Sequence, residues 1–232
     1  MADEKKTPSA AEKAEKEKEG KAAKAAKSSK AVKGPSLVGE VAPVPKGYIP
    51  RLRKAYNEQI APALQKDKSY ANIMAVPRVE KISINMGIGE AKSDVKVLEE
   101  ATYVITMITG QKPAQRRSKK SIANFKLRED VIIGLSVTLR GPRMYEFMDR
   151  FINLSLPRVR DFSGIDPNGF DGRGNFTMGL RDPLIFPEVD YNMITKPLGM
   201  NISFVTSAKT DAEGRELLTR FGMPFRKIGA AA

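Results

Sequence analysis

Apolar and polar residues alternate in two long segments of the chain, and this pattern predicts half-buried β-strands. The first segment covers residues 79–87 and the second covers residues 133–140, with an apolar side chain at every second position through most of each. A shorter alternation at residues 123–128 predicts another strand directly before the second one. Two further short strands are expected at residues 175–180 and 201–206.

Apolar residues at four-residue spacing predict amphipathic helices between these strands. The first helix contains Pro62, which should kink or shorten it because proline lacks a backbone N–H donor. The second should end at Gly110, and the third should begin at Pro142. Thr210 and Glu213 have the spacing of a capping box, so we expect the last helix to begin there.

If the strands share one sheet, their apolar side chains cover helices and their polar side chains face outward together. The outward residues would be Asn85, Lys126, Arg128, Ser136 and Thr138. A face of this small, polar and basic character is a plausible docking surface for an RNA backbone. The ordinary solvent side of an antiparallel sheet has the same pattern, so the alternation alone leaves both interpretations open.

Residues 1–46 differ in composition from the rest of the chain. They are rich in Lys, Ala, Glu, Ser and Pro, contain no aromatic residue, and hold eleven Lys against seven acidic residues. Such a segment cannot bury enough apolar surface to offset the entropy lost on ordering. We therefore predict a disordered basic extension and linker at 1–46, a single folded domain at 47–228, and a short flexible tail at 229–232.

Composition restricts the function classes. The 232 residues include 40 Lys+Arg and 27 Asp+Glu, which gives a formal net charge of +13 and favours a polyanionic partner. The chain has no Cys and no His, so the usual side chains of metal sites and of acid–base catalysis near neutral pH are missing. No apolar run approaches the ~20 residues that cross a bilayer. We expect no enzyme activity, cofactor, metal, membrane partner or small-molecule substrate.

Positive charge is most concentrated between residues 112 and 128, a run without any acidic residue. Its basic residues are Lys112, Arg116, Arg117, Lys119, Lys120, Lys126 and Arg128. Because apolar segments flank the run, it predicts a cationic loop mounted on a folded platform and directed at a polyanion. The alternative is a solvated charge run on a surface loop, although such runs usually include interspersed Asp and Glu.

One glycine motif supports a competing function. The sequence Gly87-Ile-Gly89 lies between a predicted strand and a predicted helix, as phosphate-binding turns do. The third glycine of that motif is missing, because position 92 is Lys. A structural turn is the better interpretation, and a nucleotide-using enzyme built around this turn is the alternative to an RNA-binding protein.

Six segments, in order, resemble one known family. They are VPRVEKISINMGIGEA (76–91), TGQKPAQRRSKKSIANFKLRE (109–129), VTLRGPRMYEF (137–147), LPRVRDFSG (156–164), FDGRGNFTMGLRDPLIFPEVDY (170–191) and TDAEGRELLTRFGMPFRK (210–227). Over about residues 48–228 the chain resembles the universal large-subunit ribosomal protein five, of bacterial type. The resemblance does not extend to residues 1–46.

The resemblance implies an α+β fold, in which an antiparallel sheet packs on helices by one face and leaves a polar RNA-binding face open. It implies 5S rRNA, 23S rRNA and neighbouring ribosomal proteins of the central protuberance as partners, in the cytoplasmic ribosome. The family's RNA-facing residues match Asn85, Gln111, Arg128 and Thr138. A family loop that reaches P-site tRNA matches Ala114–Asn124, with Arg116, Arg117, Lys119 and Lys120 as its tRNA-facing residues.

Two positions depart from the family pattern. Members of the family often carry Gly where this chain has Asn124 and Asp130. Asp130 places a negative charge two residues from Arg128, and we expect it to weaken or redirect the contact that Arg128 makes with RNA.

Overall fold

Five α-helices and five β-strands form the part of the chain that the computed structural model describes, residues 47–92 and 94–226. In chain order they are α1 (Arg51–Ala55), α2 (Ala61–Lys68), β1 (Val79–Gly87), α3 (Val95–Thr109), β2 (Ala114–Arg117), β3 (Ile132–Leu139), α4 (Gly141–Arg150), β4 (Phe176–Leu180), β5 (Met200–Thr206) and α5 (Asp211–Arg220). None of these helices is long and apolar enough to cross a membrane. The predicted extension 1–46 and tail 229–232 lie outside the described residues.

The strands form one antiparallel sheet in the order β2-β3-β1-β5-β4. The strands predicted at 79–87, 133–140, 175–180 and 201–206 are therefore confirmed. Strand β1 lies at the centre, where it pairs with β3 on one side and with β5 on the other. Because β1 is the central strand, its alternating side chains contribute apolar residues to the middle of one face of the sheet and polar residues to the middle of the other.

The inner face of the sheet packs on helices, as an α+β fold requires. Helix α3 contacts β3, and helix α4 contacts β1. Ile82, Ile84 and Met86 of β1 are at most 1% exposed. Each such side chain contributes roughly 1.5–3 kcal/mol of hydrophobic stabilisation when it is fully buried. The alternation that predicted β1 therefore reflects one face in the core and one face outside it.

Packed phenylalanine rings connect helix α4 and its continuation to strands β5 and β4 on the inner face of the sheet. The ring of Phe151 lies 5.9 Å from Phe147, 6.2 Å from Phe186 and 6.0 Å from Phe204 of β5. The ring of Phe176 in β4 follows at 6.5 Å from Phe204. Aromatic pairs at these separations add to the stabilisation from buried area. Strands β5 and β4 are thus held rigidly against the helices.

The predicted helix defect at Pro62 is present. A π-helical segment, Tyr56–Ile60, separates α1 from α2, and Pro62 lies in the first turn of α2. Proline cannot donate a backbone hydrogen bond and its ring clashes with the carbonyl four residues earlier, so the wider π turn relieves both problems. Leu52, Ile60 and Leu64 remain buried on one side of the combined helix.

The strand predicted at residues 123–128 is wrong. Ile122 and Leu127 form an isolated antiparallel bridge, and the four residues between them form a turn. Phe125 is 67% exposed, and Lys126 has a positive φ of 49°. An apolar residue at every second position therefore does not by itself show that a segment packs against the core. Here the alternation belongs to the tip of a hairpin that projects beyond the sheet.

Candidate nucleic-acid interface

A row of hydroxyl side chains crosses the outer face of the sheet. The strand register places Ser83 of β1 between Thr138 of β3 and Ser203 of β5, and places Thr177 of β4 beside Ser203. The Thr177 hydroxyl donates a hydrogen bond to the Ser203 hydroxyl at 3.0 Å. Thr138 and Thr177 are exposed. The row therefore presents hydroxyl groups from four neighbouring strands to one partner.

A second row runs parallel to the first. Asn85 of β1 lies opposite Ser136 of β3 on one side and Asn201 of β5 on the other, and Gly179 of β4 follows Asn201. Asn85 and Asn201 are both exposed. The structure thus brings two of the predicted RNA-facing residues, Asn85 and Thr138, onto one face in neighbouring rows. We call the two rows together the polar face.

Arg116 borders the polar face, although the sequence analysis placed it in a loop. The predicted loop Ala114–Asn124 begins with strand β2, which pairs with β3 along the edge of the sheet. The Arg116 guanidinium donates a hydrogen bond from Nε to the Ser136 hydroxyl at 2.6 Å. Because Ser136 lies opposite Asn85, the positive charge of Arg116 lies at the border of the second row.

The loop residues after Arg116 form an ordered hairpin, residues 117–131, which we call the basic hairpin. The buried Ser118 hydroxyl shares its single proton between the carbonyl oxygens of Lys120, at 3.0 Å, and Arg128, at 2.9 Å. The Ser118 amide donates to the Val131 carbonyl, and the Ser118 carbonyl accepts from the Asp130 amide. Hydrogen bonds of this one buried serine therefore link the two arms of the hairpin.

Asp130 contacts an arginine other than the one expected from the sequence. The Asp130 carboxylate accepts a hydrogen bond from the Arg117 guanidinium at 2.8 Å, and both side chains are more than half exposed. Asp130 also has a positive φ of 64°, a conformation that glycine adopts without steric cost. Asp130, at a position where members of the family often carry glycine, thus forms an ion pair with Arg117. Lys119 and Lys120 remain exposed at the hairpin.

Two of the predicted RNA-facing residues lie outside the strands. Arg128 is exposed in the returning arm of the basic hairpin, so the placement of Lys126 and Arg128 on a strand of the outer face is wrong. Gln111 is half-buried in the turn after Gly110. The Gln111 backbone amide donates to the Thr109 hydroxyl at 3.2 Å, and that hydroxyl shares its proton between the Ile105 carbonyl, at 2.7 Å, and the Gln111 carbonyl, at 3.1 Å. These bonds fix the backbone of Gln111 beside the end of α3.

The sequence analysis did not assign the four polar-face positions of β4 and β5 to that face. They are Thr177, Gly179, Asn201 and Ser203. The polar positions in residues 201–206 indicated a strand, but no local pattern shows which strands are neighbours in a sheet. Only the pairing of β5 with the central strand β1 places these residues beside the predicted ones.

The glycine turn lacks the geometry of a phosphate site. Gly87 ends strand β1, and a short 3₁₀ segment, Gly89–Lys92, stands between the turn and α3. The turn therefore does not open directly onto the N-terminus of an α-helix, where phosphate binding takes place in the motif. In residues 47–92 and 94–226, no group of three or more acidic, His or Cys residues could hold a metal ion.

Comparison with known proteins identifies one family for both chain segments that contribute strands to the sheet. The family model described as Ribosomal protein L5 matches residues 72–128, and the model of the C-terminus of the same ribosomal family matches residues 132–225. The large ribosomal subunit protein uL5 of Thermoanaerobacter sp. (strain X514) is 57% identical over 177 residues, covering 76% of this chain and 99% of that protein. The uL5 protein of Brevibacillus brevis (strain 47) is 58% identical over 177 residues, with coverages of 76% and 98%.

A third relative, uL5 of Geotalea daltonii, is 57% identical over 176 residues, which is 76% of this chain and 98% of that protein. These relatives are ribosomal proteins and not enzymes. The matched residues contain all five strands and therefore the whole polar face, together with most of the basic hairpin. The chain belongs to the L5 family of large-subunit ribosomal proteins.

Proposed function

We propose that this large-subunit protein binds 5S rRNA through the polar face and attaches it to 23S rRNA in the central protuberance of the cytoplasmic ribosome. The observation that carries the proposal is the alignment of Asn85, Ser136, Ser83 and Thr138 in two rows on one exposed face. Folded RNA is recognised by its shape, its 2′-hydroxyls and its phosphates. Amide and hydroxyl groups on a rigid sheet supply the hydrogen bonds for that recognition.

Arg116 adds the electrostatic part of the interaction. Its guanidinium is anchored on Ser136 at one edge of the polar face, so a phosphate bound there would lie within reach of Asn85 as well. Neutralising a phosphate releases condensed counterions, which favours binding at low salt. Neighbouring ribosomal proteins of the central protuberance complete the proposed surroundings of the chain.

The basic hairpin is proposed as a second and separate contact, with P-site tRNA. Lys119 and Lys120 are exposed near the turn that joins its two arms. Their charges lie beyond strand β2, whereas Arg116 lies on that strand beside the polar face. We therefore assign Lys119 and Lys120 to tRNA, and we assign Arg116 to the border of the 5S rRNA site.

The 5S rRNA assignment is tested by removing single polar groups from the face. Asn85→Ala and Thr138→Ala should each weaken binding of the free protein to 5S rRNA by roughly 1–3 kcal/mol, because each leaves a polar partner on the RNA unpaired. The measurement is a titration at fixed salt. Thr219→Ala on α5 is the matched control, since this hydroxyl lies on a helix and donates to the Arg215 carbonyl. Equal losses in all three variants would mean that the face has no special role.

The tRNA assignment is tested by a paired measurement on a Lys119→Ala, Lys120→Ala double variant. Subunits that carry the variant should bind P-site tRNA more weakly, and the log–log salt slope should flatten by about 0.7–0.9 for each lost phosphate contact. Binding of 5S rRNA by the free protein should change little, whereas Arg116→Ala should weaken it. Loss of 5S rRNA binding with unchanged tRNA binding would place the hairpin in the 5S rRNA site instead.

A further inference from the structure

Asn168 is the only asparagine in the chain that is followed by glycine. The two residues lie between helix α4 and strand β4, in a segment that belongs neither to the polar face nor to the basic hairpin. The backbone nitrogen of a residue after asparagine can attack the side-chain carbonyl carbon of that asparagine. Glycine permits this approach best, because it has no side chain that hinders it and its backbone adopts more conformations than that of any other residue.

Packing in the structure requires glycine at position 169. A Cβ atom added to Gly169 would lie 2.4 Å from the carbonyl oxygen of Thr177 and 2.8 Å from the ring of Phe176. Both distances are too short for a real Cβ atom, and the contact with Thr177 is to the backbone of strand β4. A larger residue would therefore displace β4, so the fold retains the Asn-Gly dipeptide whatever its reactivity.

The side chain of Asn168 is accessible and unrestrained. It is exposed, and it makes no hydrogen bond with another residue in 47–92 or 94–226. The backbone amide of Asn168 donates to the Asp166 carboxylate at 2.9 Å, at the start of the single 3₁₀ turn Pro167–Gly169. A single surface turn opens more readily than the core strands do. The Asn168 side chain can therefore rotate towards the Gly169 nitrogen.

A second dipeptide of related chemistry, Asp171-Gly172, is protected. The Asp171 carboxylate accepts hydrogen bonds from the Arg173 and Asn175 amides and from the Asn175 side chain. The Gly172 amide donates to the Asp211 carboxylate at 3.1 Å. The two groups that would have to react with each other are thus held by other partners, unlike the side chain of Asn168.

We propose that Asn168 is a site of spontaneous deamidation in the folded protein. The Gly169 nitrogen forms a bond to the Asn168 Cγ atom, and the side-chain amide leaves as ammonia with the proton from the Gly169 nitrogen. The cyclic imide that results takes up one water molecule. Opening at the side-chain carbonyl carbon gives aspartate, and opening at the main-chain carbonyl carbon gives isoaspartate. Water is the only co-reactant, and no oxidation or reduction takes place.

Both products add a negative charge to a groove that contains several arginines. Asn168 lines this groove beside strand β4 together with Arg158, Arg160 and Arg181. The three guanidinium groups are exposed, and none of them forms an ion pair within the part of the chain that the structure describes. Deamidation therefore lowers the net charge of the groove by one unit and supplies a carboxylate to a surface rich in unpaired arginine.

Isoaspartate also lengthens the main chain where the structure has no spare room. It inserts one additional carbon atom before Gly169, which packs closely against Thr177 and Phe176. Phe170 forms a β-bridge with Phe176, and the centres of their rings lie 4.9 Å apart. Displacement of Gly169 disturbs this contact at the start of β4. Aspartate, in contrast, leaves the length of the main chain unchanged.

Incubation of the full chain at neutral pH and physiological temperature tests the proposal. After digestion, mass spectrometry should show the peptide with residue 168 converted from amide to acid, with isoaspartate and aspartate both present. Asn192 is the internal control, because it is exposed but followed by Met193, and it should stay unmodified over the same period. Asn168→Gln should abolish the reaction, since a longer side chain closes a larger ring much more slowly. An unmodified Asn168, or equal conversion of Asn192, would overturn the proposal.

Thermal unfolding tests the effect of the lengthened main chain. The isoaspartate form, separated from the unmodified chain by ion exchange, should melt lower by at least about 2 °C. The Asn168→Asp variant carries the same added charge without the additional carbon atom, so its midpoint should stay near that of the wild type. Equal midpoints for the isoaspartate form and the variant would refute the strain assigned to Gly169. Neither measurement uses RNA, so failure here is distinct from failure of the proposed function.

Discussion

The polar face and the basic hairpin are both exposed, but they are held in place in different ways. The polar face is the outer surface of strands whose inner residues, such as Ile82 and Phe204, are fully buried. The basic hairpin extends past the sheet and is fastened by backbone hydrogen bonds and by the hydroxyl of Ser118. Its large apolar residues Ile122 and Phe125 are 43% and 67% exposed. The face is therefore fixed by the core, whereas the hairpin depends on its own hydrogen bonds.

This difference matches the partners that we propose for the two regions. Hydrogen-bond recognition by Asn85 and Thr138 needs a surface that is already in the right shape before RNA arrives. A contact made by exposed lysines needs only charge within reach, because a lysine ammonium is a compact charge on a flexible stem. A hairpin that can move slightly is sufficient for Lys119 and Lys120.

The largest expected difference in stability comes from replacing one phenylalanine by alanine in each region. Phe204→Ala should lower the free energy of unfolding by about 3–5 kcal/mol, because it removes a fully buried ring and leaves a cavity. Phe125→Ala should change it by less than about 0.5 kcal/mol, since that ring is mostly exposed. Urea titration of both variants gives the two values. A comparable loss for Phe125→Ala would show that the hairpin packs as part of the core.

The same contrast explains what could be predicted from the sequence. Alternation identified β1 and β3 because their apolar residues lie against the helices. It failed at residues 123–128 because Ala123 and Phe125 are exposed rather than buried, and a local pattern does not reveal burial. Strand β2 was taken for a loop because all four of its residues are exposed, so no apolar side marked it.

For the candidate site, too, local alternation predicted part of the surface and strand pairing determined the rest. Asn85 and Thr138 were placed on one face by alternation in their own strands, and the register confirms that placement. The sequence analysis did not place Arg116 at the border of the face or Asn201 on it, because both positions depend on which strands pair across the sheet. Pairing between strands that are distant in sequence depends on packing of the whole core, so the local sequence of neither strand predicts it.

An intermediate effect is expected from Ser118→Ala in the basic hairpin. The substitution removes the hydroxyl that both the Lys120 and Arg128 carbonyls accept from, which should cost about 1–2 kcal/mol locally. Hydrogen exchange at the amides of Ile122 and Leu127, which bond to each other's carbonyls, should accelerate by roughly five- to thirtyfold. The urea midpoint of the sheet should hardly move. A fall in global stability of the same size would mean that hairpin and sheet unfold as one unit.

A smaller, pH-dependent effect is expected at the turn that leads into β4. The Asp171 carboxylate accepts hydrogen bonds from the Asn175 side chain at 2.7 Å and from the Arg173 and Asn175 amides. The bond from the Asn175 side chain, followed by those from the amides, holds the pKa of Asp171 below its usual value. Because the folded pKa is depressed, this stabilisation is present above about pH 4, the usual Asp range, and is lost as the pH falls further.

Asp171→Asn tests that dependence. The variant should be less stable than the wild type at pH 7 by less than about 1 kcal/mol, since Asp171 is exposed to solvent. The gap should be narrower at pH 3 than at pH 7, because pH 3 lies below the usual Asp range and protonation weakens the hydrogen bonds that the wild-type carboxylate accepts. Urea midpoints at the two pH values measure it. A gap that is equal at both pH values would mean that charge on Asp171 does not contribute.

The smallest effect on stability, and the sharpest test of the hairpin's role, is expected from Asp130→Gly. The substitution removes an exposed ion pair with Arg117, which contributes about 0–1 kcal/mol. It also relieves a residue held at a φ of 64°, where glycine is favoured by a similar amount. The two effects oppose each other, so the urea midpoint should stay nearly constant. Arg117, however, would lose its carboxylate partner, and the hairpin would gain one unit of net positive charge.

That gain should appear in tRNA binding and not in 5S rRNA binding. Subunits carrying Asp130→Gly should bind P-site tRNA more tightly at low salt and show a steeper salt slope, because one more cation is available to a phosphate. Asp130→Asn removes the same charge but keeps the left-handed residue, so it separates charge from backbone strain. If both variants tighten tRNA binding equally, charge alone is responsible. If the tighter binding appears in the 5S rRNA titration instead, Arg117 belongs to the polar face, and the division between hairpin and sheet must be moved by one residue along β2.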